Sequence, residues 1–309
     1  MDTQSREAAE AFVEKAAATR SDFARRDHPE NRKARAAALA EEAALARAEL
    51  SRSGLDVKRL DDLAAERAKS RSERAAHARR RAIEQSSAAA SSLAGLTPTL
   101  IALPAEPINE IIDRVTFIRS FIGAGAVVDS DIATLDSWAR YKLEASGDAI
   151  GRRGVGRLSF FTLWRNPRTT AVVVAAGARL VVNAHISVDA SWSGVAAWFS
   201  INGGSDARAT VRARTTVWAM WNSAVNAIVQ DRVLADVAAQ AGFFGEDDEA
   251  SIEFNEFLSA SGFVVPAKEA ILIEVELLTE WYLEGGTLSL DAESGSFQVS
   301  VPHLILTLT

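Results

Sequence analysis

The stretch Ile271 to Gly286, ILIEVELLTEWYLEGG, constrains the chain more than any other. Ile271, Ile273, Val275 and Leu277 fall on one side of an extended strand, and Leu272, Glu274 and Glu276 fall on the other. A period of two is the spacing of a strand with one face on a core and one face in water. The segment therefore predicts an antiparallel sheet and places Ile271, Ile273, Val275 and Leu277 in its core. The carboxylates Glu274, Glu276 and Glu280 are read as an acidic stripe on the wet face, available as an interface with another subunit. Glu274 and Glu276 would lie about 6.6 Å apart along the strand, within the range of a glycosidase pair. Glu280 continues the stripe and the opposite face is solidly apolar, so the solvated-face reading is preferred.

Similar alternation recurs through the second two-thirds of the chain. Arg157 to Trp164 ends at the turn Arg165-Asn166-Pro167-Arg168, and Thr170 to Val188 holds two strand-like runs. Leu180, Val182 and Ile186 share an inward face there. Gly194 to Ile201 leads to a turn signal at Asn202-Gly203-Gly204. Ala209 to Trp221, Thr287 to Leu290 and Phe297 to Thr309 complete the strand-like set. Short strands broken by turns every ten or so residues predict an antiparallel β-sandwich of jelly-roll type over residues 108–309. Two segments do not fit the pattern. Ile108 to Phe121 suits helix or strand, and the apolar spacing of Trp221 to Ala241 is closer to helical.

Composition changes near residue 95. Before it Ala, Arg and Glu dominate; after it come Val, Ile, Thr and all 7 tryptophans. Helix formers give way to strand formers. Residues 1–94 are read as a helical stalk or hairpin bundle, with helices over 4–26, 30–52 and 57–93. The breaks fall at Asp27-His28-Pro29-Glu30 and at Ser53-Gly54-Leu55-Asp56, where a glycine ends one helix and an aspartate caps the next. The third helix would be about 55 Å long. Leu39, Ala43, Ala46 and Leu50, then Val57, Leu60 and Ala64, then Ala75, Ala78 and Ala82 keep a coiled-coil spacing. An alanine seam buries little area, so these helices need partners. Residues 95–107, with Pro98, Pro104 and Pro107, are read as an extended linker.

Several function classes are disfavoured by composition. The 309 residues contain no cysteine, which removes disulfides, thiolate metal sites and cysteine nucleophiles. The 4 histidines, His28, His77, His185 and His303, form no metal-binding motif. The net charge of −7 disfavours nucleic acid as a partner, even with the basic run Arg79-Arg80-Arg81 on the third helix. No apolar run reaches the ~20 residues of a membrane span. The N-terminus lacks a Sec-type apolar region, so the expected location is cytoplasmic, or outside the cell by a route without a cleaved signal.

Local motifs offer little chemistry. Gly245-Glu246-Asp247-Asp248-Glu249 and Asp129-Ser130-Asp131 lack calcium-loop spacing. Gly151 to Arg157 is glycine-rich and basic but lacks the ending of a phosphate loop, and is read as an inter-strand loop. His185 and Asp189 share a strand face but lie roughly 13 Å apart along it, too far for a dyad. Among the tryptophans Trp192, Trp198, Trp218, Trp221 and Trp281, Trp218 shares a face with Arg212, Arg214 and Thr216. Arg212, Arg214 and Trp218 are therefore the candidate binding face, with the aromatic ring exposed.

No catalytic, metal or cofactor-binding residues are assigned. The expectation is a non-enzymatic, self-assembling homo-oligomer, of the kind that builds fibres, appendages or shells. The alternative is a lectin-like module that binds a glycan or protein partner from the end of a helical stalk.

Overall fold

Two antiparallel sheets face each other across one apolar core in the computed structural model. The structure describes residues 3–20, 41, 44–45, 47–48, 51–54, 56–93, 108–112, 114–121, 125–133, 136–147, 151–190, 206–221, 226–240 and 246–308. The linker 95–107, most of the second expected helix, Trp192, Trp198 and the turn at 202–204 lie outside them.

The described helices are α1 (Thr3–Arg20) and α2 (Val57–Leu93). The break before α2 forms as its residues dictate. Gly54 has φ +85° and its N–H bonds Ser51 O at 3.2 Å, while Asp56 Oδ1 caps α2 by accepting Arg59 N–H at 3.0 Å.

The described strands are β1 (Ile108–Ile112), β2 (Phe117–Phe121), β3 (Gly125–Ala133), β4 (Asp136–Ser146), β5 (Arg152–Arg165), β6 (Val172–Ala190), β7 (Asp206–Ala219), β8 (Asn226–Gln240), β9 (Glu246–Val265), β10 (Ala270–Glu284), β11 (Thr287–Ala292), β12 (Gln298–Val301) and β13 (Leu304–Leu308). One sheet has 5 strands in the order β2-β5-β10-β7-β8. The other has 8, with β6 pairing β9, β11, β12 and β13 along its 19 residues. The core expected from alternation is in place: Leu180, Val182, Ile186, Ile271, Ile273, Val275 and Leu277 are all buried between the sheets.

Several local expectations are corrected. The two runs in Thr170 to Val188 form the single strand β6. Ile108 to Phe121 is strand, split so that β1 joins the larger sheet and β2 the smaller. Gly151 to Arg157 is not a loop, because β5 begins at Arg152 and pairs with β10 along its whole length. Likewise Glu246 to Glu249 belong to β9, paired with β6. Trp221 to Ala241 contains no described helix. Its register with β7 shifts between Val211 and Arg212 and between Thr215 and Thr216, leaving Leu234 and Val229 as extra residues. Each bulge advances the side-chain alternation by one position, and two of them turn a period of two into a pattern that mimics helical spacing.

The glycines of β5 have a packing reason. A Cβ on Gly154 would stand 2.1 Å from the Trp281 ring on the neighbouring strand, and one on Gly156 would stand 2.0 Å from Leu143 Cδ1 of the opposite sheet. Trp281, Leu143 and the fully buried Tyr141 fill the space those missing side chains leave. Burial pushes the Tyr141 phenol well above its ordinary value.

Candidate functional site

The outward face of the five-stranded sheet carries both the candidate binding face and the acidic stripe read from the sequence. The register between β10 and β7 places Leu272 beside Trp218, Glu274 beside Thr216, Glu276 beside Arg214, Leu278 beside Arg212, Glu280 beside Thr210 and Tyr282 beside Arg208. Arg212, Arg214 and Trp218 thus share one surface with Glu274, Glu276 and Glu280. That surface divides into three zones.

The first zone is apolar and covered. Phe117, Phe161, Trp218 and Leu272 form a platform that takes Ala9 and Val13 of α1, with Phe12 alongside. Residues 9, 12 and 13 follow i, i+3, i+4 spacing, so they lie on one side of the helix. Phe117 stacks on Phe161 at 4.7 Å, and Phe12 meets Trp218 edge-on at 6.1 Å. At the rim Glu14 of α1 accepts a hydrogen bond from Arg119 Nη2 at 2.6 Å. Trp218 is therefore buried, and its expected exposure is corrected. The sandwich thus gives α1 an apolar dock of its own.

The second zone is ionic. Glu274 is buried and accepts two bonds of 2.9 Å, from Ser159 Oγ and from Trp218 Nε1. Glu276 is fully buried, with Arg214 Nη1 at 3.5 Å and Arg157 Nε at 3.9 Å. Arg214 also pairs with Asp231 at 2.8 Å, and Arg212 reaches Asp231 at 3.4 Å and Glu280 at 3.5 Å. Burial opposes the Arg214 charge, but Asp231 and Glu276 outweigh it and hold the guanidinium above its ordinary value. Only Glu280 of the acidic stripe is open to solvent; Glu274 and Glu276 are not on a wet face. The alternation is the same either way. What separates the two cases is the helix and the arginines laid over the sheet, which strand periodicity does not encode.

The third zone is a shallow open cleft of about 410 Å³ at the far end of the sheet, lined by Arg153, Arg208, Thr210, Glu280, Trp281 and Tyr282 among others. The Arg153 guanidinium lies 5.7 Å from the centre of the Tyr282 ring, and the Tyr282 hydroxyl donates to Glu284 at 2.8 Å. Burial and that bond push the Tyr282 phenol up to about 12. Arg208 pairs with Asp206 at 2.8 Å. The cleft offers an aromatic edge, hydroxyl and carboxylate acceptors, and guanidinium donors within one concave surface.

His185 and Asp189 remain apart on β6, as their spacing requires. His185 instead lies against Glu249 of β9 at 3.5 Å. His303 packs on Phe257 at 5.4 Å, and its backbone carbonyl bonds Arg179 N–H, six strand residues from His185. No cluster of three potential metal ligands occurs among the described residues, and none of their helices is long and apolar enough to cross a membrane.

No protein-family model matches the chain, and no curated protein is significantly similar to it. Among solved structures, the enzymatically active domain of tailspike protein 4 from bacteriophage CBA120 is similar at a TM-score of 0.20 and 7% identity, over 62% of this chain and 19% of that one. A carbohydrate-binding module of the β-sandwich superfamily is similar at 0.18 and 7%, over 60% of this chain and 54% of that one. The module TmCBM61, solved with β-1,4-galactotriose, is similar at 0.15 and 10%, over 62% and 86%. These likenesses are weak and distant, so the functional argument rests on this chain's own geometry.

Proposed function

We propose that the protein is a non-enzymatic assembly protein, in which a jelly-roll-like sandwich is carried on helices that join copies of the chain through coiled-coil packing. The division into residues 1–94, 95–107 and 108–309 belongs to this reading. The observation that carries it is the contrast within α2. Over 37 residues, the described side chains set against the sandwich cluster at Ala78, Arg79, Ala82 and Ile83, while those at 58, 59, 62, 63, 65, 66, 69, 70, 73 and 74 are exposed. Leu63 is among the exposed ones. Helical stability in proteins comes mostly from packing an apolar face rather than from propensity, and in this reading a second copy supplies that packing. Replacing Leu39, Leu50 and Leu60 with serine tests the reading. Light scattering should report a smaller particle while the strand signal in circular dichroism stays unchanged. An unchanged particle size would count against helical assembly.

A second reading has its own observation, the cleft around Tyr282. Aromatic carbon beside carboxylate acceptors and guanidinium donors suits a sugar ring, whose faces are apolar and whose edges carry hydroxyls. In this reading the assembled copies display several such clefts, so weak single sites act together. A glycan array probed with the wild-type chain and with Tyr282→Ala tests it. Binding that is lost in the variant supports the cleft, and binding that persists places the ligand elsewhere.

A further inference from the structure

Opposite the α1 platform, the larger sheet holds α2 by a different chemistry. The end of β11 presents Asp291, whose Oδ1 accepts the N–H groups of Glu293 at 2.9 Å and Ser294 at 3.1 Å in the turn that follows. Its Oδ2 takes Arg79 Nε of α2 at 2.7 Å, and Arg79 Nη2 reaches Ser294 Oγ at 3.0 Å. One turn further along α2, Ile83 fits the notch left by Gly295, where a Cβ would stand 2.6 Å from Ile83 Cγ2. Gly295 has φ +62°, so glycine is favoured there on backbone grounds as well. The turn is thus a socket shaped for one arginine and one isoleucine spaced i, i+4.

Beside the socket sits a buried imidazole. His185 of β6 is directly paired with Asp291 of β11. Its side chain is 6% exposed, its Nε2 lies 3.5 Å from Glu249 of β9, and its Nδ1 is buried without a hydrogen-bond partner. The charged groups around it are Arg79 from α2, Asp291 from β11 and Glu249 from β9. Lys142 of β4 and Glu293 of the turn lie beyond, 3.7 Å from each other.

We propose that the Arg79 socket is an acid-released latch, in which a proton taken up by His185 places a second cation beside the Arg79 guanidinium and frees α2 from the sandwich. The direction follows from the surroundings of each group. Burial, with Arg79, lowers the His185 value against the opposing pull of Glu249 and Asp291, so the imidazole is neutral while the latch is closed. When α2 leaves, His185 gains water and loses Arg79, and it binds a proton more readily. The closed state is therefore favoured above the ordinary histidine range and weakens as pH falls through it. Asp291 acts in the same sense at more acid pH. Burial opposes its charge, but the turn N–H groups, Ser294 and Arg79 outweigh that and hold its carboxyl below the ordinary value. Release would expose the α2 surface that is now against the sheet and add it to the area open to another copy, although the latch stands whether or not copies associate.

The absence of cysteine makes the test direct. Nitroxides are attached at Glu73→Cys on α2 and Glu253→Cys on β9, both exposed positions. The labelled chain is diluted into unlabelled protein so that only distances within a chain are read. The separation should be short and narrowly distributed near about pH 8, and long and broad near about pH 5, with the strand signal retained. His185→Gln should stay closed at both values and Arg79→Gln should be open at both. Glu249→Gln, at a partly exposed site, should move release to more acidic pH by removing a carboxylate that favours the imidazolium. A narrow distribution at both values in the unsubstituted chain would overturn the proposal. So would release of His185→Gln at the same pH as its parent, a closed Arg79→Gln, or loss of the strand signal before α2 departs.

Discussion

Trp218 Nε1 donates to Glu274 Oε2 at 2.9 Å across two neighbouring strands, and α1 covers the tryptophan. An indole buried by a helix and a carboxylate buried by an indole depend on each other. The tryptophan excludes water from the carboxylate and also satisfies it. Trp218→Phe keeps the apolar platform and removes this donor from the buried Glu274, while the bond from Ser159 Oγ stays. The expected cost is about 1–3 kcal/mol, read as a lower urea midpoint with an unchanged slope.

The seat of α1 is tested from the helix side. Val13 is buried against the platform, and Val13→Asp would place a carboxylate among Phe117, Phe161 and Leu272 without a partner. Limited proteolysis should then cut within the first twenty residues while the sandwich remains resistant. Protection of α1 in this variant would mean that its seat is held by something other than the apolar contact.

Ile273 and Gly156 test the core itself. Ile273→Asp buries an unpaired carboxylate between the sheets and should abolish folding, seen as loss of the cooperative thermal transition. Gly156→Ala is the opposite perturbation. Its Cβ meets Leu143 Cδ1 at 2.0 Å and the Tyr141 hydroxyl at 2.8 Å. Overpacking of this kind costs typically about 1–3 kcal/mol, measurable as a lowered Tm. An unchanged Tm would show that Leu143 moves aside without cost.

How much was legible in the sequence follows from which interactions are local. Ile271 to Leu277 revealed strand, face and core, because alternation along one strand is a local property and the burial beneath it follows. The pairing of Arg214 with Glu276 was half legible. Each faces away from the core on its own strand, but that the two share a surface and stand side by side depends on the register between β7 and β10, which single-strand patterns leave open. The burial of Glu274 was not legible, since it depends on α1 covering the sheet from more than two hundred residues away in sequence. Phe12 and Val13 carried the only signal, as the bulkiest apolar residues of a helix otherwise rich in alanine. β8 was misread because two bulges disguised its period. The Arg79 socket was missed because Asp291-Ala292-Glu293-Ser294-Gly295 resembles any polar turn until the helix is placed on it.

Alkaline titration offers a further check that is independent of association. Tyr282 is pushed up to about 12 by burial and by its bond to Glu284. Ultraviolet titration of the two tyrosines should therefore show no phenolate in the ordinary range near about 10, because Tyr141 lies higher still. In Glu284→Gln one of the two should titrate earlier. A full tyrosine signal at the ordinary value would contradict the packing around both rings.

The central claim is that copies of this chain join through the long helices, and sedimentation velocity across a dilution series tests it most directly. The full chain should sediment as an oligomer at micromolar concentration and shift toward the 33.1 kDa monomer on dilution, with the helical signal falling in step and the strand signal constant. A single monomeric boundary at every concentration, with all helices intact, would contradict it.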